Sequence, residues 1–521
     1  MLLDMAAEAF PDRSAVTSAS RSLTYRELRV AAQAVAGRLR ACGCRYAVLL
    51  DTHGLAAPVL LFGAAYAGVS YVPLSYRLTA AELEELLERV RPALLVAESA
   101  YVATLRIPAD SEVVACQELL AAAVAGKSMA QEGEDPDPES VAIQLFTSGT
   151  LGKPKAALLR HQNALSYVLS AVEFGSAEEV EATLIAVPPY HVAGIAAVLS
   201  STYAGRRMVL LPSFEAAQWL RLCRAERITH AFLVPTMLAR IVDHLESQGG
   251  ASQLPALRAI AYGGGRMPLS VIERAMRLLP AVDFTNAYGL TETSSTICLL
   301  GPADHRAAFA SEHPTVRRRL GSVGKPLPGV ELQIRDASGK VLGPDGPGVI
   351  FVRGGQVAGE YRDSGSVLDV DGWFCTRDRG WVDRDGYVYL DGRADDVIVR
   401  GGENISPGEI EAVLLGHRAV SDAAAVAVPS EEWGEAVGAA VVLKRGTAVS
   451  AAELQQWVRA RLRSSRVPER ILFKEQLPYN EMGKVLRRAV RAEFQTGTAV
   501  SAAASTALSA AASTLVGGAP V

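Results

Sequence analysis

The sequence predicts an α/β protein of more than one domain. Segments of helical and strand periodicity alternate from residue 23 to about residue 320. A stretch rich in Gly, Pro and Asp with short strands follows, and a new α+β pattern begins near Asp395. Alternation of this kind argues for parallel sheets covered by helices. Length agrees, because 521 residues exceed what a single hydrophobic core usually organises.

In chain order, LTYRELRVAAQAVAGRLRACG (residues 23–43) has apolar positions at helical spacing, and Thr24 stands three residues before Glu27, a capping-box spacing. Short β-branched runs follow in ALLVAES and VAIQLFTSG. Strand and helix interchange again through ITHAFLVPTMLARIVDHLESQ and LRAIAYGGG. Residues 327–391 supply the short strands VELQIRD, GVIFVRG and YVYLDG, which read as a β-rich subdomain. Beyond Asp395 come the strand VIVRGG, a helix in SPGEIEAVLLGH, the strand AAAVAV and the helix AAELQQWVRARL. The tail 499–521 is Ala/Ser/Thr-rich and uncharged, and the sequence predicts disorder there.

Composition narrows the class. With 49% apolar residues the chain can fill large cores, and 52 basic against 56 acidic side chains leave no positive surplus for duplex nucleic acid. Six cysteines form no C-x-x-C and no zinc-finger spacing, so the expectation is reduced thiols in a cytoplasmic protein. The start, MLLDMAAEAFPDR, lacks the basic region of a signal peptide. Two uncharged stretches, 52–76 and 182–205, are long enough to cross a bilayer. Their prolines, glycines, histidines and tyrosines make them read instead as helix–strand pairs of a buried core.

Familiar catalytic motifs fail. Gly149 and Gly152 stand too close for a Walker A loop, and Pro268 occupies the last glycine position after Gly263-Gly264-Gly265. There is no G-x-S-x-G and no H-E-x-x-H. What remains is LFTSGTLGKPKAALLRH (residues 145–161), which sets Thr147, Ser148 and Thr150 around Gly149, then Lys153 and Lys155 around a proline, directly after a strand. Glycine lets backbone N–H groups approach an anion, and hydroxyl and ammonium groups add donors, so the segment reads as a phosphate-contacting loop. Lysine is scarce, eight against 44 arginines, yet Lys153, Lys155 and Lys484 all fall in two such segments.

TSGTLGKPK resembles the phosphate loop of the adenylate-forming superfamily, which includes acyl-CoA synthetases, non-ribosomal peptide adenylation domains and luciferases. The likeness continues in order through PPYHVAG (188–194), YGGG (262–265), NAYGLTETSS (286–295), FCTRDRG (374–380), DGRADDVIVRGGENISPGEIE (391–411) and LPYNEMGKVLRR (477–488). It spans roughly residues 10–491 and is most similar to the acyl-CoA ligases.

The resemblance implies a large N-terminal domain, residues 1–394, of two helix-covered sheets plus a β-rich subdomain. A small α+β lid domain, 395–492, and a disordered tail, 493–521, would follow. It implies ATP-dependent activation of a carboxylic acid to an acyl-adenylate and transfer to CoA, with AMP and pyrophosphate released. ATP and CoA would be cosubstrates and Mg²⁺ the cofactor. On this reading ATP is bound by Thr147, Ser148, Gly149, Thr150, Lys155, Gly263, Gly264, Gly265, Asn286, Ala287, Tyr288, Gly289, Thr291, Asp378 and Arg393. Thr150 and Glu292 are the metal-side oxygen ligands, as Mg²⁺ prefers. Lys484, His191 and Glu292 are the catalytic residues. His191, Gly194, Val234, Pro235 and Thr236 belong to the acyl pocket, Gly401, Gly402 and Glu403 to the CoA side, and Asp395 to the hinge. The acyl motif Tyr190-His191-Val192 has no acid to pair with a substrate ammonium, so the acid lacks an α-amino group. Alternative acceptors are a carrier-protein thiol in trans or an amine, and a nucleotide-binding module without turnover is the reading from another class.

Three positions depart from the family pattern: Leu151 replaces a threonine, Ala156 a glycine, and Arg377 the glycine before the ribose aspartate. For Arg377, pairing with phosphate, pairing with Asp369 or Asp371, and restriction of φ all stay open.

Overall fold

The computed structural model describes residues 1–19, 21–52, 54–124, 136–147, 154–249, 254–401, 403–480 and 485–496. The expectations for Ser148, Gly149, Thr150, Leu151, Gly402, Lys484 and the tail beyond residue 496 lie outside them; residues 493–496, expected to be disordered, close the helix Arg487–Thr496. The chain is a mixed α/β protein of two compact units. The first comprises Met1–Gln333, Phe351–Thr376 and Asp383–Val388; the second comprises Ile334–Ile350, Arg377–Val382 and the chain from Tyr389 onward.

Two large sheets organise the first unit. One has nine strands in the order Lys325–Pro326, Ser295–Leu300, Asp283–Leu290, Ala259–Gly263, His230–Leu233, Ala182–Ile185, Arg207–Leu210, Ser14–Ser18, Arg21–Thr24. Its six central strands, Asp283–Leu290 to Ser14–Ser18, are parallel and its edges antiparallel. The other has eight strands: Gly365–Ser366, Glu360–Tyr361, Lys155–Arg160, Val141–Thr147, Ser70–Pro73, Tyr46–Leu50, Ala93–Ala97 and Glu112–Ala115. In Tyr46–Leu50 and Ala93–Ala97 every residue is buried, the mark of a strand covered on both faces. That explains why these segments read as unbroken apolar runs rather than as alternation.

The covering helices form where the periodicity places them. Helix Tyr25–Ala41 begins at the capping box: Thr24 Oγ1 accepts from the Glu27 N–H at 3.2 Å and the Glu27 carboxylate from the Thr24 N–H at 2.8 Å. Each of the two uncharged stretches divides as expected. The first becomes helix Ala56–Ala67 and strand Ser70–Pro73, the second strand Ala182–Ile185 and helix Val192–Ala204. Among the described residues no helix is long and apolar enough to cross a membrane.

The short strands of the β-rich stretch form a four-stranded sheet, Glu331–Arg335, Gly348–Arg353, Phe374–Val382 and Val388–Arg393. The second unit is built on a five-stranded sheet. Glu403–Ile405, Ile398–Arg400, Gly434–Leu443 and Val420–Ser430 lie in that order, and Arg470–Lys474 also pairs with Gly434–Leu443. Helices Pro407–Leu415 and Ala451–Arg459 bury Ile410, Leu414, Leu454 and Val458 against one face of it.

One expectation about cysteine is corrected. Cys42 and Cys44 form a disulfide, with Cα atoms 5.3 Å apart across Gly43, whose φ of +64° folds the chain back within bridging distance. Cys116, Cys223, Cys298 and Cys375 are free.

Candidate active site

Four neighbouring parallel strands of the nine-stranded sheet end at the predicted acyl and nucleotide residues. Strand Ala182–Ile185 leads to His191 and Gly194, and His230–Leu233 to Val234, Pro235 and Thr236. Ala259–Gly263 ends in Gly263, Gly264 and Gly265, and Asp283–Leu290 carries Asn286, Ala287, Tyr288 and Gly289 into Thr291 and Glu292. The carboxyl ends of parallel strands are where open α/β sheets bind ligands, because loops and helix N-termini collect there.

Each junction has a local cause. His191 sits at the N-cap of helix Val192–Ala204, and its carbonyl accepts from the Gly194 N–H at 3.0 Å. Pro235 starts helix Pro235–Ser247 at the position where its missing N–H costs nothing. Gly263 meets its neighbour so closely that a Cβ would lie 2.2 Å from the Ala287 carbonyl oxygen, so only glycine lets these two strand ends converge. Gly265 lies against Pro235, where a Cβ would sit 3.7 Å from Cγ. Tyr262 anchors this strand end. The His305 Nδ1 faces the Gly301 carbonyl at 2.9 Å and must therefore be protonated, so Nε2 accepts from the Tyr262 hydroxyl at 2.8 Å.

His191 is partly covered overall, but its Nε2 is out of contact with solvent. Burial, with the Arg77 charge adding to it, pushes the imidazole down to about 3, so the ring is neutral at pH 7. Aromatic rings line up beside it: Tyr190 at 4.8 Å, then Tyr76 edge-on to Tyr190 at 5.7 Å, then Tyr101 stacked on Tyr76. A small apolar cleft lined by Leu61, Tyr71, Pro189, Gly194 and Ile195, with room for about one water molecule, lies between helices Ala56–Ala67 and Val192–Ala204.

Of the residues predicted for the phosphates, Thr147 and Lys155 are paired across the antiparallel strands Val141–Thr147 and Lys155–Arg160. Glu292 lies in the single 3-10 turn Thr291–Thr293. Its carbonyl accepts from the N–H groups of Ala358 and Gly359 at 2.9 and 3.1 Å, and its carboxylate from the Tyr361 hydroxyl at 2.5 Å. Asn286 donates from Nδ2 to the Ser322 carbonyl at 3.0 Å. A carboxylate oxygen is the hard donor type that a magnesium ion takes, and Tyr361 engages one oxygen of the Glu292 carboxylate. The donor chemistry fits such an ion.

Within the second unit, Arg393 donates to the buried Asp378 carboxylate at 3.0 Å. Arg377 adopts φ of +59°, the left-handed region where the family carries glycine, and its guanidinium lies 3.8 Å from the Asp395 carboxylate. Asp369, in the first unit, caps its own turn, accepting from the N–H groups of Asp371 and Trp373. Gly401 has φ of +55°, its N–H donates to the Trp433 carbonyl at 2.9 Å, and a Cβ would fall 2.8 Å from the indole. Glu403 is held by Arg466 at 2.7 Å, which also binds Glu409 at 2.6 Å. Arg487 of the C-terminal motif bonds the buried Glu411 carboxylate and lies 3.4 Å from Asp396, next to the predicted hinge.

Sequence reasoning missed Tyr361, Tyr76 and Arg77. No motif marks them, because the partners of Tyr361 stand 69 positions away along the chain.

A strand-end site of this form, on two helix-covered sheets with a small C-terminal α+β unit, is that of the adenylate-forming enzymes. The chain belongs to the AMP-binding enzyme family: its model matches residues 3–362, and that of the AMP-binding enzyme C-terminal domain matches 409–484. Similar proteins include the fatty acid–[acyl-carrier-protein] ligase ScoC of Streptomyces coeruleorubidus, 33% identical over 498 residues (93% of this chain, 94% of that one). The 2-succinylbenzoate–CoA ligase of Bacillus licheniformis is 33% identical over 493 residues, covering 93% and 98%. The solved o-succinylbenzoate CoA synthetase of Bacillus subtilis, bound to its acyl-adenylate intermediate, superposes with a TM-score of 0.81 at 28% identity, covering 94% and 97%. By membership the chain is an ATP-binding enzyme of the acid–thiol ligase class.

Proposed function

We propose that this enzyme activates a carboxylic acid without an α-amino group and transfers the acyl group to CoA. In the first step a carboxylate oxygen attacks the α-phosphorus of ATP; the bond to the bridging oxygen breaks and pyrophosphate leaves. In the second, the thiol sulfur attacks the acyl carbonyl, the thiol proton is lost to solvent, and AMP departs with its oxygen. The observation that carries the reading is the placement of Glu292, the Gly263–Gly265 loop and neutral His191 at the carboxyl ends of neighbouring parallel strands.

Magnesium, held by Glu292 and Thr150, would neutralise the charge of the phosphates when bound. Lys155 faces the phosphates, Asp378 and Arg393 hold the ribose, and Lys484 bridges carboxylate and α-phosphate. His191 offers an uncharged polar edge with no acid beside it in the Tyr190-His191-Val192 segment, which suits an acid carrying no ammonium group. Gly401, Gly402 and Glu403 form the thiol side. Domains of 1–394 and 395–492 would then rotate about Asp395 between the two steps, since Lys484 and the Gly401 loop cannot serve one adenylate together. ATP and CoA as cosubstrates fit a cytoplasmic enzyme.

The likeness to an acyl-carrier-protein ligase favours a carrier thiol as the second reading of the acceptor. A panel of aryl and aliphatic acids with ATP and Mg²⁺, offered CoA or a phosphopantetheinylated carrier, tests both through pyrophosphate and thioester. Acid-dependent pyrophosphate without CoA thioester would overturn the CoA assignment. No acid-dependent pyrophosphate would overturn the enzymatic reading altogether.

A further inference from the structure

Tyr361 belongs to none of the motifs that mark the site, yet it touches both of its charged poles. Its hydroxyl donates to Glu292 Oε1 at 2.5 Å, and the Lys155 ammonium stands 5.4 Å from the centre of its ring. The residue is fixed from behind. Strand Glu360–Tyr361 pairs Tyr361 with Ala157, and the next N–H, that of Arg362, donates to the Ala156 carbonyl at 2.9 Å. The same short segment holds the Glu292 backbone through the Ala358 and Gly359 N–H groups. One stretch, 358–362, therefore grips Glu292 at both its main chain and its carboxylate, and is itself bonded to the strand that carries Lys155.

We propose that Tyr361 is a positioning residue that keeps the metal-side anion and the phosphate-side cation apart and aimed at ATP. A carboxylate and an ammonium on flexible stems in one site would otherwise pair with each other, and each would then be lost to the phosphates. The phenol prevents this in two ways: its hydroxyl satisfies one carboxylate oxygen and leaves the other for a cation, while its ring face attracts the ammonium without neutralising it. The proposal rests on the assignment of Glu292 to the metal and Lys155 to the phosphates.

The test measures binding, not turnover. Mn²⁺ affinity is read by electron paramagnetic resonance in the presence of α,β-methylene-ATP, and analogue affinity by calorimetry, for the wild type, Tyr361→Phe, Tyr361→Leu, Glu292→Gln and Lys155→Ala. Removing a partner that orients a metal ligand typically weakens the metal about tenfold or more. Tyr361→Phe should therefore weaken Mn²⁺ about tenfold and leave analogue affinity within about twofold, because the ring stays under Lys155. Tyr361→Leu should lose both, approaching the combined deficits of Glu292→Gln and Lys155→Ala. Wild-type Mn²⁺ affinity in Tyr361→Phe, with weakened binding in Glu292→Gln, overturns the positioning role and leaves the site assignment standing. Wild-type Mn²⁺ affinity in Glu292→Gln overturns the assignment and the proposal with it.

Discussion

His191 makes this protein sensitive to mild acid in a way that can be isolated and measured. In the unfolded chain its imidazole has the ordinary value of 6.5; in the folded chain burial and the Arg77 charge hold it down to about 3. Between those values the proton binds on unfolding only. Above pH 6.5 the group is neutral in both states and contributes nothing to the pH dependence. As pH falls through 6.5, stability drops by about 1.4 kcal/mol per pH unit, and the loss levels off below about pH 3. By pH 5 it amounts to about 2 kcal/mol, a large share of a typical folding free energy. Urea unfolding of the wild type and of His191→Gln at pH 7.5 and pH 5.0 isolates the effect, since the depressed His161, His230 and His305 remain in both proteins and cancel. The wild type should lose about 2 kcal/mol more than the variant over that range. Arg77→Ala should recover the smaller part of the loss, because burial is the larger cause. Equal losses in wild type and His191→Gln would refute the buried neutral imidazole.

Three further outcomes are expected. Glu292→Ala should lower acid-dependent pyrophosphate release by about a hundredfold or more and alter its Mg²⁺ dependence, with circular dichroism unchanged; retained activity would count against the ligand role. Lys484→Ala should abolish adenylate formation yet convert a supplied acyl-adenylate to thioester, while Asp395→Pro should do the reverse by restricting the hinge; measuring each half-reaction separately decides it. Arg377→Gly should raise the urea midpoint by an amount equivalent to about 1 kcal/mol, because a left-handed conformation strains any side chain with a Cβ. Its exposed 3.8 Å pair with Asp395 adds too little to reverse that sign, and a lowered midpoint would show that the pair matters more than the strain.

Much of the fold was legible because its signals are local. Strands such as Ala93–Ala97 are apolar throughout since helices cover both faces, and the Thr24–Glu27 capping box is four residues long. What was legible of the candidate site is likewise local: Gly263–Gly265 and Glu292 stand in short segments that the structure sets at strand ends. Contacts closed by the fold left no such trace. Tyr361 meets Glu292 across 69 positions, and Arg77 bears on His191 across 114. The Cys42–Cys44 bridge was missed for the opposite reason. Two thiols one glycine apart look too close to matter until the φ of Gly43 is known.

Arg377 marks the limit between the two kinds of information. As a departure from the family's glycine it was visible in the sequence, but its consequence depends on whether the backbone moved to suit the side chain or the side chain endured the backbone. The structure answers with φ of +59°: the strand Phe374–Val382 keeps the conformation that glycine would adopt, and arginine bears the strain. Strain of that kind persists only where surrounding contacts over-determine the backbone. Here the next residue, Asp378, is buried and bonded to Arg393, and a Cβ on Gly380, two positions further, would lie 2.1 Å from the Tyr389 carbonyl oxygen, so the backbone has no room to relax. The geometry of this segment is thus set by the strand and its neighbours rather than by residue 377. That position is free to carry a cation whose nearest acid is Asp395 at the predicted hinge.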